Sequence, residues 1–338
     1  FRRSEDWEGG ADTYRGEGGP LTTRKTTFED PLSEAFLEAA KVAGYSYTDD
    51  YNGADPDGFT RMQATLRNGR RWSAAAAYLH PAKNRHNLRI ETRALVEKVN
   101  FDGKRAIGVT FKQGGKTVTA NANAEVLLSG GSINSPQLLM LSGIGDPAHL
   151  KDKGIDVTAP LEGVGQNLSD HTSSAFVFRR KSGGPFQQNL RLDRVGISLI
   201  RAWLGLGGFA ADLPFGITGF VKSREEEPVP DLQLLFWMGA TTTAAPWLPP
   251  FKKAFADSFS VRVMPMRPES RGYVSLASSN PNEAPEIHQR FLQTEEEWRV
   301  IRAGLRMARD LVGQAPMSPF AGDELVPGAA PRGEAVDS

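Results

Sequence analysis

The 338-residue sequence contains no cysteine, which excludes disulfide bonds and thiolate metal ligation. It has no surplus of either charge. Forty Lys and Arg balance forty Asp and Glu, so no positive field argues for nucleic acid and no acidic excess for a solvating tail. A small molecule is the expected partner. Long apolar runs are missing as well: the least polar stretch, Val195 to Ile217, is broken by Arg201 and Asp212 and carries five glycines. A membrane-spanning helix needs about 20 apolar residues in succession, so no transmembrane segment is predicted. There is no HExxH, no His cluster and no GxSxG, and metallohydrolase and serine-hydrolase chemistry fall away with them.

At 39% hydrophobic residues, the chain is able to bury a sizeable core as one large domain or about two ordinary ones. It opens at Phe1-Arg2-Arg3-Ser4, without methionine or a signal-like segment. The expectation is that the true start is absent and that targeting stays open, with the cytoplasm as the working compartment.

The most informative stretch runs from Glu125 to His171. Val126-Leu127-Leu128 enters Ser129-Gly130-Gly131-Ser132, and Ser135-Pro136 open a Leu/Met-rich segment closed by Ser142-Gly143-Ile144-Gly145. This reads as a buried strand, a small-residue turn and a short helix. Such a junction faces a ligand in doubly wound α/β domains: glycines admit a nucleotide to the backbone, and the first helical amides are unpaired donors. The plain alternative is a tight strand-to-helix connection.

Elsewhere, Leu32, Phe36, Leu37 and Ala40 repeat at helical spacing after Asp30-Pro31 and stop at Gly44. Thr48 to Gly58 is a polar loop whose acids lack the spacing of a calcium-binding loop. A serine-capped helix follows Ser73 and ends near Pro81. Asn87 to Thr92 and Ala94 to Val99 alternate as strands, with Asp102-Gly103 as a hairpin turn before Ala106 to Phe111. Phe176 to Phe178 is strand-like, and Asp231 to Phe236, Phe259 to Met264 and Tyr273 to Leu276 read as strands of an antiparallel sheet. Pro285 to Ile287, then Thr294 to Glu297, begin a helix with Trp298, Ile301, Leu305, Ala308, Leu311 and Val312 on one face.

The string Gly131-Ser132-Ile133-Asn134-Ser135-Pro136 with Ser142-Gly143-Ile144-Gly145 resembles the second signature of the glucose-methanol-choline (GMC) family of flavin-dependent oxidoreductases. Gly163-Val164-Gly165-Gln166-Asn167-Leu168-Ser169-Asp170-His171 resembles that family's GVGxNLxDH segment, and Arg70 to Pro81 its GRRxSxxxAYLxPA element. The texture is closest to choline dehydrogenase-like members.

The resemblance implies an α/β chain, α+β overall, in two parts. Residues 69–171 would be a remnant of a Rossmann-like FAD-binding domain; residues 1–68 and 172–338 would form an antiparallel-sheet substrate-binding domain. It implies FAD as cofactor, a primary alcohol as substrate and hydride transfer to the flavin, with the electron acceptor open. Cofactor-binding residues would be Val96, through its backbone at the adenine, and Gly130, Gly131 and Ser132. Taken from sequence alone, Val96 is an ordinary strand valine.

No GxGxxG turn is found, and none of His80, His86, His149, His171 and His288 lies in a segment like the family's catalytic loop. No catalytic residue is therefore carried over. The chain is expected to be an internal, incomplete portion of the enzyme, inactive by itself. The alternative is a truncated, non-catalytic binding or scaffold protein. Phe236, Trp237 and Met238 are either pocket or core, and Ala202 to Ile217 is either a hydrophobic flap or a buried helix and turn.

Overall fold

The computed structural model describes residues 1–212, 215–239 and 244–328, which form two compact units. One comprises Phe1–Arg85, His171–Arg267 and Glu296–Ser338; the other comprises His86–Asp170 and Pro268–Glu295. The segmentation differs from the expected one at two places. Residues 69–85 pack with the larger unit, and Pro268–Glu295 returns to the smaller one.

The larger unit is built on a six-stranded antiparallel sheet, in the order Ala321–Val326, Ser174–Arg180, Ser258–Pro265, Leu232–Trp237, Phe215–Val221 and Gly58–Arg61. Side chains alternate between faces with period two. Cross-strand neighbours Ile217, Phe236, Val261 and Phe176 therefore share one face, and all are buried. The Pro31–Val42 helix covers that face, with Phe36 stacked on Phe236 at 4.0 Å between ring centroids. Each buried Phe contributes about 1.5–3 kcal/mol, so this cluster outweighs any surface interaction of the unit. The Glu295–Gly313 helix packs on the same face through Val300, Ala308 and Leu311.

The first helix starts where it does because the Asp30 carboxylate accepts from the Leu32 amide at 2.9 Å and Pro31 occupies the first helical position. The same carboxylate receives two hydrogen bonds from Arg180, each 2.7 Å, and both side chains are buried. Asp257 lies against this pair, 4.0 Å from the Arg180 Nε, and accepts from the Gly184 amide at 2.7 Å. Burial pushes the Asp257 carboxyl above its usual value, opposed by the Gly184 amide and by Arg180. One guanidinium thus ties a helix start, a strand end and a loop together. The polar loop after Thr48 spends its groups on the protein itself: Asp50 accepts from Asn52, Gln63 and Arg15, and Thr48 donates to the Asp55 carbonyl.

The smaller unit holds the three-stranded meander Ala94–Asp102, Arg105–Gln113 and Lys116–Asn121, the Gly131–Leu141 helix, and a separate sheet of Gln166–Leu168, Gly272–Ser275 and Glu286–His288. Several expectations are corrected here. The Tyr273 strand belongs to this small sheet rather than to the large one, and Glu286 to His288 pair with it as a strand, so the helix begins only at Glu295. Asn87 to Thr92 form no strand. Val126 to Leu128 form no strand and pair with none among the described residues, and Leu127 is 78% exposed. A run of apolar residues gives a strand only where a neighbour takes its backbone groups.

Replacing Arg180 by Met leaves two buried carboxylates without their cation. Breaking such a pair costs about 3–5 kcal/mol, well beyond what an exposed pair contributes. Arg180→Met is expected to lower the urea midpoint by a corresponding amount, whereas Lys41→Met, at an exposed pair with Glu38, should leave it nearly unchanged.

Candidate functional site

The smaller unit contains a cavity of about 650 Å³. Its walls are the start of the first meander strand (Ala94, Leu95, Val96), Val109 of the second, the non-strand backbone from Val126 to Gly130, the Gly131–Leu141 helix through Asn134, Ser135, Gln137, Leu138 and Leu141, and Pro281. The volume suits a small organic ligand, and the mixture of apolar walls with a few polar groups is typical of such sites.

The strand side is shaped by a register irregularity. Val96 pairs with Phe111 and Lys98 with Thr110, so Glu97 is an extra residue and the strand bends next to Val96. The helix side is shaped by Gly131, whose φ of +83° lies in the left-handed region that favours glycine. This turn leads the chain from the Val126–Leu128 run into the helix, whose first amides have no side-chain cap. A Cβ on Gly130 would sit 3.2 Å from the Ser135 amide nitrogen, so that position is closed on its helix side.

Two of the four candidate residues, Val96 and Gly130, meet in this cavity. Gly131 and Ser132 lie beside it in the first helical turn and are exposed, outside its lining. Sequence reasoning passed over Ser142 except as part of a closing Ser-Gly-Ile-Gly string. Its Oγ accepts from the Val99 amide at 2.8 Å and donates to the Leu138 carbonyl at 2.6 Å. This hydroxyl joins the two walls, the strand that carries Val96 and the helix that carries Leu138. A serine four residues after Leu138 at a helix end was a visible signal, because Ser back-bonds to the i−4 carbonyl.

Other candidates separate. Phe236 and Met238 are fully buried in the core of the larger unit, while Trp237 is partly exposed beneath the Arg262 guanidinium, 5.1 Å from the ring. The His149 imidazole accepts from the Leu276 amide at 3.1 Å, and His288 stacks on Tyr273 at 4.4 Å. Both are structural uses. The Ala202–Ile217 segment contains the end of the Leu192–Trp203 helix, an exposed turn and the short Phe209–Ala211 helix; residues 213–214 lie outside the described residues. With Trp203, Leu204 and Leu206 exposed, the buried helix-and-turn alternative does not describe it. No group of three metal-ligating side chains occurs among the described residues.

The family description GMC oxidoreductase matches residues 4–173, and its C-terminal counterpart matches residues 268–338. The chain is 40% identical to the oxygen-dependent choline dehydrogenase of Brucella ovis over 336 residues, 97% of this chain and 59% of that protein. It is 41% identical to the mitochondrial choline dehydrogenase of Homo sapiens over 334 residues, 97% of this chain and 54% of that protein. It therefore spans little more than half the length of these relatives. Among solved structures, a formate oxidase superposes with a TM-score of 0.84 at 24% identity, over 100% of this chain and 63% of that one. The pyridoxine 4-oxidase of Mesorbium loti gives 0.82 at 22% identity, over 100% and 62%. At these identities the likeness speaks for the fold.

Ser142→Ala removes the acceptor of a buried amide. An unpaired buried donor costs about 1–3 kcal/mol. The expected outcome is a loss of stability in that range together with faster hydrogen exchange at the Val99 amide, read by nuclear magnetic resonance; unchanged exchange at Val99 would show that the tie is dispensable.

Proposed function

The chain belongs to the GMC oxidoreductase family, and from that premise we propose that it forms part of an FAD-dependent enzyme that oxidises a primary alcohol. The observation that supports this reading is the cavity that unites Val96 and Gly130, the strand and turn positions that the family resemblance assigns to the nucleotide.

The residues present fit the adenine end of such a cofactor. Val96, Val109, Leu127, Leu138 and Leu141 offer apolar surface to a planar heterocycle, and the backbone around Val96 and from Val126 to Gly130 offers polar groups that require no special side chain. The uncapped first turn after Gly130 presents amide donors of the kind that favour anionic groups. When bound, the flavin supplies an acceptor for the hydride of the alcohol carbon. This chain's own contribution, in our reading, is to bind and orient: Val96 through its main chain, Gly130 by leaving room, and the leucines by excluding water. Gly131 and Ser132 are assigned to the helix end of the same site.

We place the antiparallel sheet of the larger unit in the substrate-binding role. Choline is the first alcohol to assay, since both curated relatives carry its name. No helix among the described residues is long and apolar enough to cross a membrane, and a cytoplasmic setting is the reading we adopt for the compartment. The natural electron acceptor is left to experiment.

The whole polypeptide to which this chain belongs, purified and tested for a flavin absorption spectrum and for alcohol-dependent reduction of a dye, decides the proposal. A yellow protein that turns over a primary alcohol supports it; a colourless protein that binds no FAD contradicts it and favours a non-catalytic scaffold. Within that protein, Val96→Ala should keep FAD affinity within about twofold, because a main-chain contact survives the change. Gly130→Val should weaken it by about tenfold or more, because a branched side chain enters the cavity wall. Equal effects of both substitutions would remove the backbone argument.

A further inference from the structure

The cavity of the smaller unit has one wall that comes from far along the chain. Pro281 belongs to the returning segment Pro268–Glu295, whereas the other lining residues lie between Ala94 and Leu141. The chain that carries Pro281 is closed on itself before it meets the site. From Asn280 to Glu283 it makes a β-turn in which the Glu283 amide donates to the Asn280 carbonyl at 3.0 Å and Pro281 takes the second position, where its fixed φ is favoured. The Asn280 Oδ1 accepts from the Asn282 amide and from the Asn282 side chain, each at 3.1 Å, and Ser278 donates to the Glu283 carboxylate at 2.5 Å. The turn thus spends its polar groups on itself and presents a rigid apolar ring that has no N–H to desolvate.

This turn is part of the connection, residues 276–285, between the paired strands Gly272–Ser275 and Glu286–His288. Strand pairing closes the base of that connection and leaves the lean of its tip to other contacts. Two side chains of the Gly131–Leu141 helix supply them. Met140 packs with the buried Leu276 at the start of the connection, where the Leu276 amide is also taken by His149. Gln137 reaches the other end, its Nε2 donating to the Glu283 carbonyl at 3.0 Å. At about 100° per residue, Gln137 lies about 60° round the helix from Met140 and about 40° in the opposite sense from Leu141, a cavity residue. It stands at the border between the face that packs on Leu276 and the face that lines the cavity, and it lines the cavity itself.

We propose that the Asn280–Glu283 turn is a wall of the nucleotide site, with Pro281 as an apolar rest for the adenine, and that Gln137 is the positioning residue that seats the turn there. The inference rests on the reading of this cavity as the adenine end of the FAD site. A wall already in place costs a ligand nothing to order, whereas a wall released by loss of the Gln137 bond must be ordered at the ligand's expense. Affinity at the adenine end therefore falls while the fold, whose packing at Met140 and Leu276 is untouched, stays as it is.

The test measures ADP affinity of the whole polypeptide, and its rate of FAD release followed by the fluorescence of the freed flavin. Gln137→Leu should weaken ADP binding by about fivefold, the worth of one hydrogen bond, and speed FAD release to match. Its affinity for riboflavin monophosphate and its thermal midpoint should stay unchanged. Pro281→Ala should weaken ADP binding by a similar factor. Because Gln137 acts through Pro281, the double variant should remain near about fivefold and not reach the about 25-fold of independent effects. Multiplying effects, or equal weakening of ADP and riboflavin monophosphate with a lowered thermal midpoint, would overturn the positioning role. Wild-type binding of ADP that neither single variant weakens sinks this inference alone; a wild-type protein without affinity for ADP sinks the reading of the cavity and this inference with it.

Discussion

The cavity exists because an edge strand is held against a helix that offers it no ladder of backbone bonds. Among the described residues the Ala94–Asp102 strand has a partner strand on one side alone, and on the other the Val99 amide finds the Ser142 hydroxyl. A buried amide left without an acceptor is costly, so this bond fixes the strand at one point along the helix. Toward its start the same strand bends at Val96, and the helix begins at a left-handed glycine. Space opens between the bend and the turn. The two ends of the site are thus set by backbone conformation and its middle by one hydroxyl, an arrangement that leaves most lining side chains free to be simply apolar.

The larger unit rests on a different balance. Its aromatic core of Phe36, Phe59, Phe236 and Phe259 is packed through stacked, tilted and edge-on ring contacts, whose geometry adds to the larger contribution of burying the rings. The Asp30–Arg180–Asp257 cluster adds little net energy for its desolvation but is costly to break, so its role is to fix where a helix starts relative to a strand end. Having its specificity set inside, this unit tolerates a helix whose large side chains face outward.

Elements with a local cause were legible in the sequence. The first helix carries its cap at Asp30, its proline at Pro31 and its stop at Gly44, and the Asp102-Gly103 turn carries a glycine at φ +55°, as the hairpin requires. The family was legible because two strings of small and polar residues stand at a fixed separation. Whatever depends on a distant partner was not legible. Val126 to Leu128 have strand composition but no strand beside them, and Tyr273 to Ser275 have the alternation of the large sheet but pair with Gln166 to Leu168 and Glu286 to His288. At the site, Val96 and Gly130 were reached through the resemblance, while Ser142 was missed because its role needs a strand more than forty residues earlier. The exposure of Leu199, Ile200 and Trp203 on the Leu192–Trp203 helix was also hidden: periodicity reports an apolar face, and only packing says which side it turns to water.

The central claim is that the cavity holds the adenine end of FAD. Competition against FAD binding in the whole polypeptide tests it most directly, with ADP and riboflavin monophosphate as separate competitors. Displacement of FAD by ADP, with an apparent affinity for ADP that falls in the Gly130→Val variant, is the result this account predicts. Displacement by riboflavin monophosphate with no effect of ADP would place the cofactor's grip elsewhere and contradict it.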